Sequence, residues 1–278
     1  MDLDQALSRL GRDARWSLRI DRVGDFPECI YEHNAHELLR TASVGKLFLL
    51  IEVADLITRG DLDPSEPLDR ETTEPVADSG LWQHLSTTRL PVVDLARLVG
   101  TVSDNWATNV LIGRVRLAAV QARAASLTAD GSTLHDRVRD IRTAEHPRTP
   151  SEGSAADLAR LFADLHAGTV VSEAVSALVL DWLSTSVDLS MIASPLGLDP
   201  LAHAEADRGC RVWNKTGTDS QIRAEAGLME VPSGTYAYAA ICNWTTDRSD
   251  PGSRDVVLDT MRRIGEFIRD AGDSADGR

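Results

Sequence analysis

Lysine is nearly absent from this chain: of its 29 basic residues, only Lys46 and Lys215 are lysines. Arginine serves wherever any cation suffices. It cannot serve where a group must lose its charge, because a guanidinium stays protonated while a desolvated ammonium can be driven neutral. The two lysines therefore mark positions where chemistry, not mere charge, is expected. Cysteine is scarce as well. Cys29, Cys210 and Cys242 are odd in number, far apart and without a CxxC pair, which excludes a disulfide framework and a thiolate metal site and points to reduced core or strand cysteines. The seven histidines show no ligand spacing, so neither metal nor cofactor is expected. No apolar run is long enough to span a bilayer. The start, "MDLDQALSRLGRDARW", lacks the cationic and apolar regions of an export signal, so the expected compartment is the cytoplasm, or outside it if a leader has been removed. A net charge of -14 argues against nucleic acid or an anionic membrane as partner. A small-molecule substrate is expected, and nothing demands more than a monomer.

The pattern along the 278 residues predicts strands at both ends with helices between them. Residues 2–10 read as a short amphipathic helix, and "RWSLRIDRV" and "ECIYEHN" as paired strands. A helix follows from Ser43, with Leu47, Leu50, Ile51, Ala54 and Ile57 on one face, stopping at Gly60. After the turn-rich "DLDPSEPLDRETTEP", residues 90–183 are mainly helical. "CRVWNKTG", "AEAGLMEVP" and "TYAYAAICNW" are strand-like, and a helix over 254–271 closes the chain. The expected fold is α/β, more narrowly α+β. An antiparallel sheet is flanked by N- and C-terminal helices, with an all-α lobe inserted. The α/β lobe should take about 1–42 and 205–271, the α lobe about 43–204, and 272–278 a disordered tail. The join between the lobes is a natural pocket.

In "TASVGKLFLL" Lys46 lies three residues after Ser43, on the same helical face. Thr41 and Ser43 are candidate helix caps, but the pair also makes a reaction centre. A serine hydroxyl is a poor nucleophile until a base takes its proton. An ammonium desolvated at a helix start and facing a second cation, Lys215, is disfavoured. Lys46 can then accept the Ser43 proton, and backbone N–H groups at the helix start can face the developing oxyanion. Ser103-Asp104-Asn105 opens a helical segment, and Lys215-Thr216-Gly217 ends a strand. Ser103 and Asp104 also suit a helix cap.

Ser-x-x-Lys, Ser-Asp-Asn and Lys-Thr-Gly occur together in the class A β-lactamases and penicillin-binding proteins. The sequence resembles that serine hydrolase family over nearly its whole length, in "SVGKLFLL", "VSDNWATNVLI", "TPSEGSAADLARLF" and "NKTGT". The resemblance implies an acyl-enzyme on Ser43, with Lys46 and Ser103 moving protons and the N–H of Thr218 completing the oxyanion hole. It further implies that Asn105 holds a substrate amide, that Lys215 and Thr216 bind the substrate carboxylate, and that Arg223 adds a second positive contact. Near "DSGLWQHL" the family places a substrate-facing side chain, which makes Leu81 or Trp82 a candidate for the pocket mouth.

The resemblance breaks in one loop. Class A enzymes carry a water-activating glutamate there, in a Glu-x-x-Leu-Asn pattern. Here "LHDRVRDIRTAEHPRTPSEGS" is short and lacks that pattern. Its carboxylates, Asp136, Asp140 and Glu145, are the candidates for deacylation, and four neighbouring arginines could pair with them and weaken them as bases. Three functions follow: β-lactam hydrolysis, with a slow second step where those acids are weak bases; a cytoplasmic esterase, amidase or acyl transferase acting on another substrate; and a sensor that stays acylated.

Overall fold

A computed structural model describes residues 2–24, 26–245 and 251–271; the tail expected at 272–278 lies outside them. The helices are α1 (Leu3–Leu7), α2 (Lys46–Thr58), α3 (Val92–Val102), α4 (Asn105–Val115), α5 (Leu117–Leu127), α6 (Ala155–His166), α7 (Glu173–Leu183) and α8 (Pro251–Arg269). The strands are β1 (Ala14–Val23), β2 (Glu28–His33), β3 (Leu39–Arg40), β4 (Pro67–Asp69), β5 (Arg89–Pro91), β6 (Thr133–Leu134), β7 (Ser151–Gly153), β8 (Arg211–Asp219), β9 (Ile222–Val231) and β10 (Gly234–Trp244). The main sheet runs β2-β1-β10-β9-β8 and is antiparallel throughout. The first and last parts of the chain thus close one sheet, as an α+β reading requires.

Side chains on successive strand residues point to opposite faces, and both faces are covered. On β10, Ala237, Ala239 and Ile241 join the core shared with α2–α7, while Tyr236, Tyr238, Ala240 and Cys242 join Leu3, Leu7, Val257, Met261 and Ile264 under α1 and α8. Helix α6, from the middle of the chain, packs across β1, β9 and β10. Burial on both faces explains why these strands read as near-continuous apolar runs.

Helix α2 departs from the amphipathic expectation. Every residue from Lys46 to Asp55 is buried, so the helix is the axis of the α lobe and is enclosed all round. Its two internal acids, Glu52 and Asp55, both pair with Arg123 of α5, which satisfies charges that burial would otherwise penalise. The helix begins at Lys46 rather than Ser43, because Ala42–Gly45 form a tighter 3₁₀ turn.

Candidate active site

The Ser43 turn is shaped by its neighbours. Ala42 takes a left-handed backbone, φ 48°, a conformation that costs a side-chain-bearing residue about 1 kcal/mol or more. Ser151 of β7 holds it there: its hydroxyl donates to the Ala42 carbonyl and meets Thr41 Oγ1 at 2.8 Å. Gly45 permits that approach, since a Cβ there would lie 2.4 Å from Ser151 Cβ. Neither Thr41 nor Gly45, the residues that cap these two helices, makes a side-chain capping bond. In the run Thr41–Lys46, Ser43 is the one residue not buried. Its side chain lines a cavity of about 630 Å³ between the sheet and the α lobe, together with Lys46, Ser103, Asn105, Lys215, Thr216 and Thr218.

The Ser-Asp-Asn segment divides its work. Asp104 is a structural anchor: its carboxylate caps α4 at the Ala107 N–H (2.9 Å) and accepts from the Leu81 and Trp82 N–H groups (both 2.8 Å). Gly80, at φ +122°, makes room, because a Cβ there would lie 2.4 Å from Asp104 Oδ2. With Asp104 so engaged, the left-handed Ser103 (φ 55°) ends α3 and turns its carbonyl and hydroxyl towards Lys46.

Lys46 Nζ lies 2.6 Å from the Ser103 carbonyl, 2.7 Å from Asn105 Oδ1 and 3.2 Å from Ser103 Oγ. All three oxygens can accept from Lys46 Nζ, a set that three ammonium N–H groups fill; the Ser103 hydroxyl can also donate, to the lone pair of a neutral amine. Burial first, and then the charge of Lys215, hold the Lys46 ammonium well below the usual lysine range. Lys215 is also buried, and burial lowers its pKa to about 8, with Asp188 opposing the fall. Its Nζ donates to the Thr216 carbonyl (3.0 Å).

β8 is an edge strand of the main sheet, so one row of its backbone polar groups has no strand partner. It runs hard against the Ser43 turn. A Cβ on Gly217 would lie 2.0 Å from the Thr41 carbonyl oxygen and 3.1 Å from Ser43 N. Gly217 therefore sets this close approach rather than lining the cavity, and it brings the Thr218 end of the strand beside the serine.

Four expected residues lie elsewhere. Trp82 is fully buried in the α-lobe core, its indole N–H donating to the Thr87 carbonyl (3.1 Å); finding an acceptor for that N–H draws the ring inward. The half-exposed neighbour is Leu81. Arg223 does not line the cavity: its Nη1 donates to the Asp219 and Ile222 carbonyls (3.0 and 2.7 Å), and its guanidinium lies 5.9 Å from the centre of the Trp244 ring. Glu145 is exposed and away from the cavity. Asp136 is buried under the loop and accepts from Arg139 (2.7 Å) and Arg142 (2.9 Å). Burial pushes its acid up, but the two arginines outweigh burial and hold it below the usual range.

Asp140 is different. It lines the cavity and accepts the Ala77 N–H at 3.1 and 3.3 Å, and the Ala77 carbonyl accepts from Asn105 Nδ2 (3.0 Å). The backbone of Ala77 and the Asn105 amide thus link Asp140 to Lys46. The cavity wall also includes Asp78, Ser186, Val187 and Asp188, which no motif announced. Among the described residues, no group of His, Cys, Asp and Glu could hold a metal ion, and no helix is long and apolar enough to cross a membrane.

The model of the family described as "Beta-lactamase enzyme family" matches residues 3–271. Among solved structures, the chain is similar to a β-lactamase from Sphaerobacter thermophilus, at 22% identity and a TM-score of 0.81 over 99% of both chains. It is also similar to PBP-A, at 19% identity and a TM-score of 0.76 over 96% of this chain and 94% of that one. An ancestral class A β-lactamase gives 19% identity and a TM-score of 0.76 over 97% of this chain and 100% of that one. At such identities the likeness establishes a common fold. No curated protein matches.

Proposed function

The chain belongs to the β-lactamase enzyme family, and from that membership we propose that it is a class A-type serine hydrolase, acylated on Ser43 by opening of a β-lactam ring. The observation that carries this reading is the set of contacts around Lys46. A buried amine whose charge burial and Lys215 disfavour, held against the Ser103 hydroxyl and two further oxygens, shares one cavity with the partly exposed Ser43.

In this mechanism Lys46 takes the Ser43 proton as Oγ attacks the lactam carbonyl. The N–H groups of Ser43 and Thr218 receive the oxyanion, at the place where β8 meets the serine turn. The C–N bond breaks, the ring nitrogen gains the proton through Ser103, and an ester on Ser43 remains. Lys215 and Thr216 bind the substrate carboxylate, and Asn105 orients its amide. The partner is a small molecule, and the net charge of -14 argues against nucleic acid.

Deacylation needs a base for water, and Asp140 is the one loop candidate on the cavity wall. Its carboxylate accepts a proton from water as the ester carbonyl is attacked, and that proton is handed to the Ser43 oxygen as the ester C–O bond breaks, restoring the hydroxyl. Its engagement with the Ala77 N–H supports a second step slower than that of an enzyme with a freely placed glutamate. Asp140→Asn should leave the rate of adduct formation with a penicillin within about threefold and lengthen the adduct's lifetime about a hundredfold or more, as loss of a general base does. An unchanged lifetime would move the role to Lys46.

A further inference from the structure

Behind the Lys215 strand, on the opposite face of the sheet, lies a buried polar cluster that the proposed reaction does not use. Glu225 of β9 is fully buried beneath α8, on the same face as Tyr238. Its Oε1 accepts from Asn214 Nδ2 (2.8 Å) and from the Tyr238 hydroxyl (2.7 Å), and its Oε2 accepts the Ile192 N–H (2.6 Å). Asn214 Nδ2 also donates to the Asp188 carbonyl (3.1 Å). Asn214 immediately precedes Lys215, and Asp188 is part of the cavity wall. Two glycines make the cluster possible. A Cβ on Gly227 would lie 2.8 Å from the Tyr238 hydroxyl, and one on Gly265 of α8 would lie 1.9 Å from the Ile192 carbonyl oxygen.

Three donors converge on Glu225, an arrangement matched to a carboxylate and not to a carboxylic acid, whose O–H needs an acceptor. Asn214 Oδ1 is buried and without a partner. Once protonated, Glu225 needs one of its donors to become an acceptor: either the Tyr238 hydroxyl turns its own hydrogen away, or the Asn214 amide turns over and breaks its bond to the Asp188 carbonyl. Either change takes a bond from the cluster that joins the cavity wall to β8, so the charge on Glu225 and that attachment are coupled.

We propose that Glu225 is a positioning residue: ionised, it holds the Lys215 strand and the 186–192 segment at the separation that substrate binding needs; protonated, it lets the segment go. The functional half of this inference rests on the reaction proposed at Ser43. Burial raises the Glu225 pKa to about 7 against its three donors, and Asp188 adds to the rise. Tyr238 from β10 and Asp188 from the segment are the ionisable groups facing it, and Tyr238 stays protonated because burial and Glu225 both raise its pKa.

The test compares wild type, Tyr238→Phe and Glu225→Gln across the neutral range. Two quantities are read: hydrogen exchange of the peptide spanning 186–193, corrected for intrinsic rate, and the non-covalent dissociation constant of benzylpenicillin that precedes acylation. In wild type, protection should fall as pH drops through about 7, and binding should weaken with it about tenfold, as loss of a buried hydrogen bond to a charged group does. Tyr238→Phe removes one donor to the carboxylate, so both transitions should move to higher pH. Glu225→Gln should show neither. Should that variant fail to fold, Tyr238→Phe alone decides. A residue that merely stabilised the fold would shift neither transition. The proposal is overturned if protection of 186–193 does not titrate, if Tyr238→Phe leaves the transition in place, or if protection titrates and binding does not follow. Absence of any penicillin binding or adduct in wild type overturns the Ser43 reaction instead, and the exchange transition still decides whether the clamp exists.

Discussion

At the scale of the residue, the chemistry proposed at Ser43 turns on an amine that can be neutral. Lys46 is enclosed and faces Lys215 and three oxygen atoms. Arginine would keep the positive charge and much of the length but could not take a proton. Lys46→Arg should therefore fold, by circular dichroism, yet acylate about 10³-fold more slowly in a stopped or mass-based assay, the usual contribution of a general base. A loss smaller than about tenfold would move the base elsewhere.

At the scale of the element, the site depends on how closely β8 approaches the turn before α2. Gly217→Ala puts a methyl group onto the Thr41 carbonyl oxygen, 2.0 Å away, and beside Ser43 N. The strand edge must then withdraw. The expected result is loss of acylation by more than about a hundredfold, consistent with removal of one oxyanion donor, with the far-ultraviolet spectrum retained; near-normal acylation would show that Thr218 N–H takes no part. This scale also explains what the sequence disclosed. Ser43 and Lys46 are legible because their relation is set within one helical turn, and Lys215 because lysine is so rare here. The paired strands at both ends are legible from alternation. Asp140 could only be one of three candidates, because its partner, Ala77, is 63 residues away. Glu225 was invisible, since nothing in the strand's own sequence signals the Asn214 amide and Tyr238 hydroxyl that satisfy it. Trp82 misled because its motif neighbourhood suggested the pocket mouth, whereas an acceptor five residues on, the Thr87 carbonyl, turned its ring into the core.

At the scale of the whole molecule, function is held against stability. Lys215 is buried, and its pKa is lowered to about 8 from the ordinary value of 10.5, so the native state resists the charge that the unfolded chain accepts. The sign follows from linkage. Below about pH 8 both states are protonated and the full cost of burying the charge is present; between about 8 and 10.4 the unfolded state binds more protons, so stability rises with pH. Lys215→Met should therefore raise the melting temperature by a few degrees at neutral pH, with the gain shrinking towards pH ~10.4. The same variant should lose affinity for a carboxylate-bearing substrate. A lower melting temperature at neutral pH would mean that the buried ammonium is already compensated.

Every step proposed here passes through a covalent intermediate on Ser43, which intact-mass spectrometry detects. Wild type and Ser43→Ala are incubated with a penicillin and followed over time. Wild type alone should gain the mass of the whole penicillin, and the adduct should decline slowly as hydrolysed drug accumulates. A wild type that stays unmodified, or an adduct that persists on Ser43→Ala, would contradict the Ser43 intermediate.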